Sequence, residues 1–389
     1  MENIVVVGSV ADNPVAEDIA HFMGQNDDYQ DLISLKSFLN TEFCPRFITT
    51  GRNSDTVGDN LKGKTVILVS TNQGIHSRNG LGMRNFLIAR AAKDNGAQRV
   101  ILIEPDLYYS AQDRGPRKEH GLTGTKRSKR DFEKFDGQPF SARLYADLLK
   151  VSGVDEVVTI HNHSTSVQNI FMDRFSGKFH NLRPFDLYSN YLVDTDVVNE
   201  RNMVLCAPDK GALDFVRKVQ STLGDKSIPV IIMDKHRAGE RKVNITVSKD
   251  SDIGLSDING KDVVVLDDMV RTGSTIVETC HKLRSANPNK IVFFVTHFYS
   301  SRECRANLND RVLDEIITTT TIPSILNRDV QGRLRHKMVV LLISRWISNY
   351  LLQLLDNNHP GLKSPLYSED MSAKNPRWIG KMGPLFSDS

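Results

Sequence analysis

Short, uninterrupted runs of aliphatic and β-branched residues recur along this chain, with helix-period segments between them. The runs are Ile4–Val7, Thr65–Val69, Val100–Ile103, Val157–Ile160, Met203–Cys206, Val230–Met233, Val263–Leu266, Ile291–Val295 and Met338–Ile343. Each has the length of a strand, and the lack of polar alternation marks strands buried on both faces. In the intervening segments Leu213, Val216, Val219 and Leu223 fall on one helical face. So do Ile276, Cys280 and Leu283, and so do Phe140, Leu144, Tyr145, Leu148 and Leu149. Buried strands alternating with amphipathic helices predict an α/β protein with parallel sheets covered on both faces. The runs form two sets, before and after residue 165. The expectation is therefore two doubly wound parallel-sheet domains, 1–165 and 166–345, followed by a C-terminal helix and extended tail, 346–389. Ligands of such sheets bind beyond the carboxyl ends of the strands, so the residues after each strand carry the chemistry.

Two stretches break the alternation. Residues 114–139 form a polar insertion in which Arg114, Arg117, Lys118, Lys126, Arg127, Lys129 and Arg130 face a single acid, Glu119, within 114–130. It reads as a long mobile loop, either a lid that brings cations to an anionic ligand or a solvated excursion. Residues 357–389 hold four prolines without periodicity and read as an extended tail. The remaining composition excludes classes. No run approaches the roughly 20 apolar residues of a membrane span. A net charge of +3 is too small to imply nucleic acid. The first strand opens at Ile4 with no basic segment before it, which does not read as a signal peptide. Cys44, Cys206, Cys280 and Cys304 lack any Cys-x-x-Cys spacing, arguing against zinc and disulfides and for a reducing cytoplasm.

The most informative strand end is the one at 263–266. Val263–Leu266 is followed by Asp267-Asp268-Met269-Val270-Arg271-Thr272-Gly273-Ser274-Thr275, and a helical pattern starts at Ile276. Gly273 permits a tight turn, after which successive amides at a helix N-terminus converge on one spot and favour an anion. The hydroxyls of Thr272, Ser274 and Thr275 can add hydrogen bonds to phosphate oxygens. Asp267 and Asp268 stand where they can accept the vicinal hydroxyls of a sugar. One strand earlier, Asp234-Lys235-His236-Arg237 places cations after Val230–Met233.

The 263–275 string resembles the phosphoribosyl-diphosphate loop of type I phosphoribosyltransferases and ribose-phosphate pyrophosphokinases. Other segments are similar to the second of these families. Asp234-Lys235-His236-Arg237 resembles its Asp-Lys-Arg-Arg catalytic loop. Thr159-Ile160-His161-Asn162-His163 and the residues to Phe171 resemble the segment whose histidine sits beside ATP and its metal. Ala207-Pro208-Asp209-Lys210-Gly211 resembles Ser-Pro-Asp-x-Gly-Gly, and Ala111-Gln112-Asp113-Arg114 the nucleotide-contacting Ala-Arg-Gln-Asp-Arg. The resemblance runs in order from about residue 40 to 355 and identifies the chain as a divergent member of the family.

That resemblance implies transfer of the diphosphoryl group of ATP to the anomeric hydroxyl of ribose 5-phosphate, giving phosphoribosyl diphosphate and AMP. It implies Lys235 and Arg237 as catalytic cations, and Asp267, Asp268, Arg271, Thr272, Gly273, Ser274 and Thr275 as the ribose 5-phosphate site. Gln112, Arg114 and His163 would contact ATP, with His163 and Asp209 at the metal. Mg²⁺ is the implied cofactor, and a homo-oligomer, dimer or higher, the implied assembly. The chain also departs from the pattern. Phe43-Cys44-Pro45-Arg46-Phe47 lacks the acids of the adenine-reading segment that a neighbouring subunit supplies. Ala111 replaces an arginine, His161 an aspartate, Arg271 an acid inside the loop, and Ser274 a glycine. A non-catalytic paralogue that binds ribose phosphate or nucleotide, and a phosphoribosyltransferase, are the competing readings.

Overall fold

The structure, a computed structural model, describes residues 3–48, 57–72, 74, 76–121, 127–224, 227–238 and 242–370; the side chains of 236–238 and 242–244 lie outside that description. The chain divides into two compact units. The first is Met1–Arg183 with Ile347–Gly361, and the second is Pro184–Trp346 with the segment from Leu362 on.

In chain order the first unit contains β1 (Ile4–Gly8), α1 (Pro14–Phe22), α2 (Tyr29–Leu32), β2 (Ile33–Ser37), β3 (Phe43–Phe47), β4 (Thr65–Val69) and α3 (Arg78–Asp94). It continues with β5 (Arg99–Ile103), α4 (Lys129–Lys134), α5 (Ser141–Ser152), β6 (Glu156–Ile160), α6 (Thr165–Arg174) and β7 (Phe179–Leu182). β1, β4, β5, β6 and β7 form a parallel five-stranded sheet in that order, and β2 and β3 form a separate antiparallel hairpin. Val66–Val69 and Val100–Ile103 have no exposed surface, as continuous apolar runs require.

The second unit holds α7 (Phe185–Asp194), β8 (Met203–Ala207), α8 (Leu213–Thr222), β9 (Val230–Ala238), β10 (Lys242–Val247), β11 (Asp262–Val270) and α9 (Ser274–Arg284). There follow β12 (Lys290–Phe298), α10 (Arg302–Leu308), β13 (Glu315–Thr319), α11 (Arg328–Gln331), β14 (Met338–Leu342), α12 (Ser344–Leu355) and β15 (Ser368–Glu369). The sheet order is β10-β9-β8-β11-β12-β13-β14-β15. The core of this sheet is parallel, while β10 and β15 close its two edges antiparallel. From β8 the chain moves outward to β9 and β10, then returns on the other side of β8 as β11. The strand order reverses between β8 and β11, and such a switch point is where an open sheet leaves a crevice for a ligand. The α/β class and the parallel sheets are as the alternation of runs predicts.

Three local expectations change. The first unit extends past 165 to Arg183, because α6 and the short strand β7 complete its sheet; β7 is paired in parallel to β6 from Val157↔Phe179 to Ile160↔Leu182. α5 turns a different face inward from the one its leucines mark. Ala142, Tyr145, Ala146 and Leu149 are buried, whereas Leu144 and Leu148 are 55% and 41% exposed. Two alanines one turn apart let neighbouring elements approach closely, and that outweighs the larger residues beside them.

The described part of the basic insertion is folded rather than a loose loop; residues 122–126 lie outside the described residues. Its centre is Arg127, whose side chain is only 5% exposed. Its guanidinium donates to the carbonyls of Gly115 (2.8 Å), His120 (2.8 Å) and Arg117 (3.1 Å), and pairs with Asp131 on α4. It also lies 4.3 Å over the ring of Phe132. A planar group with five donors can satisfy three carbonyls and a carboxylate at once, which a lysine cannot. Replacing Arg127 with alanine removes the Gly115 carbonyl's donor and one of the two guanidiniums on Asp131, while Arg114 stays on Asp131 and backbone amides stay on the His120 and Arg117 carbonyls. Local opening around the insertion should become easier by about 1–3 kcal/mol, measured as faster limited proteolysis there without a matching fall in Tm.

Candidate functional site

The loop after β11 is built by local rules. Val263–Leu266 is wholly buried, and β11 carries on as a strand through the half-buried Asp267 and Asp268 to Val270. Gly273 then takes φ +77°, a left-handed turn that caps α9. A Cβ on Gly273 would stand 2.9 Å from Leu308 Cγ on α10, so conformation and space both demand glycine. The loop is braced from outside: Ser301 Oγ donates to the Arg271 carbonyl (3.0 Å) and Asn307 Nδ2 to the Thr272 carbonyl (2.8 Å). Its carbonyls are thereby held by protein donors, while the first amides of α9 have no intrahelical acceptor, as at any helix start. Thr272 Oγ1 and Ser274 Oγ lie 3.3 Å apart. Arg271 is exposed, with its guanidinium carbon 5.8 Å from the centre of the Tyr299 ring.

Asp267 and Asp268 stand at the switch point, and Asp267 Oδ1 accepts the Asp268 amide at 2.9 Å. Burial, then the neighbouring Asp268 and then Asp209, raise the Asp267 carboxyl well above the usual carboxylate range. A group with a raised folded pKa contributes stability that is full below its unfolded value and is lost as pH rises through the folded one. Asp267→Asn is therefore expected to flatten the fall of Tm with pH above the acid range and to raise Tm at neutral pH, while weakening sugar binding. A thermal unfolding series against pH, with binding measured on the same samples, checks both signs.

The sequence-derived cations and acids around this loop divide. Lys235, exposed on β9, donates to Thr275 Oγ1 at 2.7 Å, so the lysine and the 267–275 loop that the resemblance singles out meet. Arg237 lies in β9, but its side chain is among those outside the description. Asp209, after β8, spends Oδ1 on the amides of Gly211 (2.8 Å) and Ala212 (3.1 Å), in the turn that precedes α8. Lys210, not singled out from the sequence, bridges Asp234 (3.6 Å) and Asp250 (3.5 Å).

In the first unit, Gln112, Arg114 and His163 follow β5 and β6. The two segments are tied through Asp113, which accepts from Ser164 Oγ at Oδ2 (2.7 Å) and from Ser166 Oγ at its carbonyl (2.6 Å). Ser164 also caps α6, which fixes the exposed His163 just before the helix. Arg114 is not an open phosphate ligand: it pairs with Asp113 (3.3 Å) and Asp131 (2.8 Å) and lies 4.9 Å over Phe135. His161 is buried, with φ +46°, and donates its amide to the Leu182 carbonyl. Tyr109, three residues before Gln112, is also left-handed at φ +59°. Strain of this kind in residues other than glycine persists where the surroundings enforce it, as functional loops do. The segment 43–47 forms β3, and the Arg84 guanidinium covers the Phe43 ring at 3.8 Å.

Among the described residues no three His, Cys, Asp or Glu side chains gather as a metal cluster, and His163 and Asp209 belong to different units. The donor chemistry that does fit a hard cation is the oxygen pair of Asp267 and Asp268. Mg²⁺ keeps several of its waters and needs only one or two carboxylates. The sequence pointed to the loop but not to its braces, Ser301, Asn307 and Leu308. Asp113 stood within a quoted motif without a role.

An open α/β sheet with a glycine-turned strand-to-helix loop at its switch point fits a domain of the type I phosphoribosyltransferase kind. Residues 188–326 match the phosphoribosyl transferase domain family. A ribose-phosphate pyrophosphokinase of Corynebacterium efficiens is 28% identical over 291 residues, covering 75% of this chain and 77% of that protein. Ribose-phosphate pyrophosphokinase 2 of Saccharomyces cerevisiae is 27% identical over 71% of this chain and 77% of its own length. The Mycobacterium leprae pyrophosphokinase is 26% identical over 83% and 85%. The fold matches a crystal structure of phosphoribosylpyrophosphate synthetase from Mycobacterium smegmatis with a TM-score of 0.70 at 23% identity, covering 92% of this chain and all of that one. Over most of its length the chain is similar to ribose-phosphate pyrophosphokinases, at 26–28% identity in these three.

Proposed function

We propose that this protein transfers the diphosphoryl group of ATP to the anomeric hydroxyl of ribose 5-phosphate. The observation that carries this reading is the 2.7 Å hydrogen bond from Lys235 to Thr275, which sets a cation against a loop fit for the sugar phosphate. The 5-phosphate would lie on the amides and hydroxyls of Thr272–Thr275, and Asp267 and Asp268 would accept the ribose hydroxyls. The anomeric oxygen then bonds to the β-phosphorus, releasing its proton to water, as the bond from that phosphorus to the α–β bridging oxygen breaks, and AMP leaves with that oxygen. Lys235 and Arg237 stabilise charge that grows on the transferring group, so most acceleration is alignment and electrostatics rather than proton transfer. Asp267 and Asp268 would hold a hydrated Mg²⁺, which supplies neutralisation of the triphosphate when bound. The resemblance carries ATP contacts over to Gln112 and His163. A homo-oligomer and a cytoplasmic location belong to this reading; no described helix is long and apolar enough to cross a membrane.

A second reading, a regulatory paralogue that binds without turnover, draws support from Arg114, held by two aspartates, and from Phe43, covered by Arg84. Purified protein with ATP, Mg²⁺ and ribose 5-phosphate, followed by phosphorus NMR, separates the two. AMP and phosphoribosyl diphosphate appearing together support the first. No AMP from any nucleoside triphosphate, with ribose 5-phosphate still bound, leaves the second.

A further inference from the structure

The proposed chemistry makes no use of a buried acid at the end of β5. Glu104 has no exposed surface. Its Oε1 accepts the Tyr145 hydroxyl at 2.8 Å and the Asn85 amide at 3.1 Å, and its Oε2 accepts the Tyr108 amide at 3.1 Å. None of these three donors is charged. Two charges face the carboxyl: Arg78 favours its ionised form and Asp106 opposes it, and these two are paired with each other. A buried carboxylate without a cation of its own is costly, and burial pushes Glu104 up to about 8.

What Glu104 holds is the segment that leads to Gln112. The Tyr108 hydroxyl is 3.3 Å from Ser70 Oγ, and Arg78 lies over the Tyr108 ring at 5.3 Å. The next residue is the left-handed Tyr109, whose hydroxyl donates to Asn79 Oδ1 at 2.6 Å and whose ring lies 5.1 Å from Tyr145. The Gln112 amide donates to the Tyr109 carbonyl (2.9 Å), and the Gln112 carbonyl accepts the Ala142 amide at the start of α5 (3.2 Å). One carboxyl group therefore joins the segment's first turn, α3 through Asn85 and α5 through Tyr145.

We propose that Glu104 is a positioning residue whose neutral form latches the 105–112 segment. The sign follows from linkage: the latch is strongest in acid, weakens as pH rises from the ordinary glutamate range, and levels off above the folded titration. Hydrogen exchange of the full-length protein between pH 5 and 9, corrected for the intrinsic rate, reads this in peptides covering 105–112. Protection in the wild type should fall by up to roughly tenfold per pH unit and then level off. Glu104→Gln, neutral at every pH, should show no such fall. Wild-type protection that does not change with pH overturns the proposal, as does an unchanged fall in Glu104→Gln. Should Glu104→Gln fail to fold, Tyr145→Phe removes a donor that favours the ionised form and must move the levelling point to higher pH; an unmoved point sinks the idea. That Gln112 then meets ATP rests on the proposed function, and predicts that the KM for ATP rises over the same pH range while kcat changes little. Correct exchange behaviour with a flat KM would count against the nucleotide role of Gln112 and leave the latch standing.

Discussion

Lys235→Ala is expected to lower kcat by about 10²–10³-fold, the usual cost of removing one preorganised donor to developing charge. The side chain is exposed and bonds only to the loop hydroxyl of Thr275 among its described partners, so nothing in the core leans on it. Tm should stay within a degree or so of the parent, and sugar-phosphate binding within a few-fold, because the amides of the loop remain. Lys235→Arg keeps the charge but replaces a compact ammonium with a planar fork, and should recover only part of the rate. Initial rates by AMP release and a thermal scan on the same samples decide the matter. Undiminished turnover in Lys235→Ala would remove the lysine from the chemistry, and loss of both activity and Tm would make its role structural.

Gly273→Ala should act on the other substrate. An alanine held at φ +77° costs about 1–2 kcal/mol, and its Cβ would collide with Leu308 at 2.9 Å. The turn would have to shift, and with it the amides that begin α9. A displacement of about 1 Å is enough for a 10²-fold loss, so the KM for ribose 5-phosphate should rise by roughly that factor. Adding Leu308→Ala relieves the collision but not the backbone strain. If the double variant regains most of the affinity, contact sets the requirement; if it regains none, the left-handed turn does.

The sequence was most legible where one residue type had one physical reason to be present. All nine apolar runs are strands of the two sheets, because uninterrupted Val, Ile and Leu have nowhere else to go in an α/β protein. Glu315–Thr319 was available to the same reasoning, since Ile316, Ile317, Thr318 and Thr319 are all β-branched, yet its polar atoms disguised a buried strand. β7, with His180 and Asn181 inside it, gave almost no signal and hid the true end of the first unit. The turn and helix start at 273–276 could be read because a glycine between hydroxyl residues follows a strand and precedes a helical pattern. The loop's braces could not, because a serine, an asparagine and a leucine some 30 residues downstream look like any others. The insertion misled for a physical reason. Seven cations in a row of polar residues look solvated, and only the structure shows one arginine turned inward to bind three carbonyls and an acid.

The path of the backbone after β14 has a consequence for how such a gene can change. α12 belongs largely to the first unit, where Tyr350 meets His180 at 2.8 Å. The chain then returns to the second, where β15 pairs with β14 and Tyr367 donates to Asp194 at 3.0 Å. Neither unit is one continuous stretch of the polypeptide. A single recombination breakpoint after Arg183 would give the first unit a foreign final helix, and one after Trp346 would also give the second a foreign edge strand. Replacing either unit whole therefore requires exchanges at three separate points along the coding sequence.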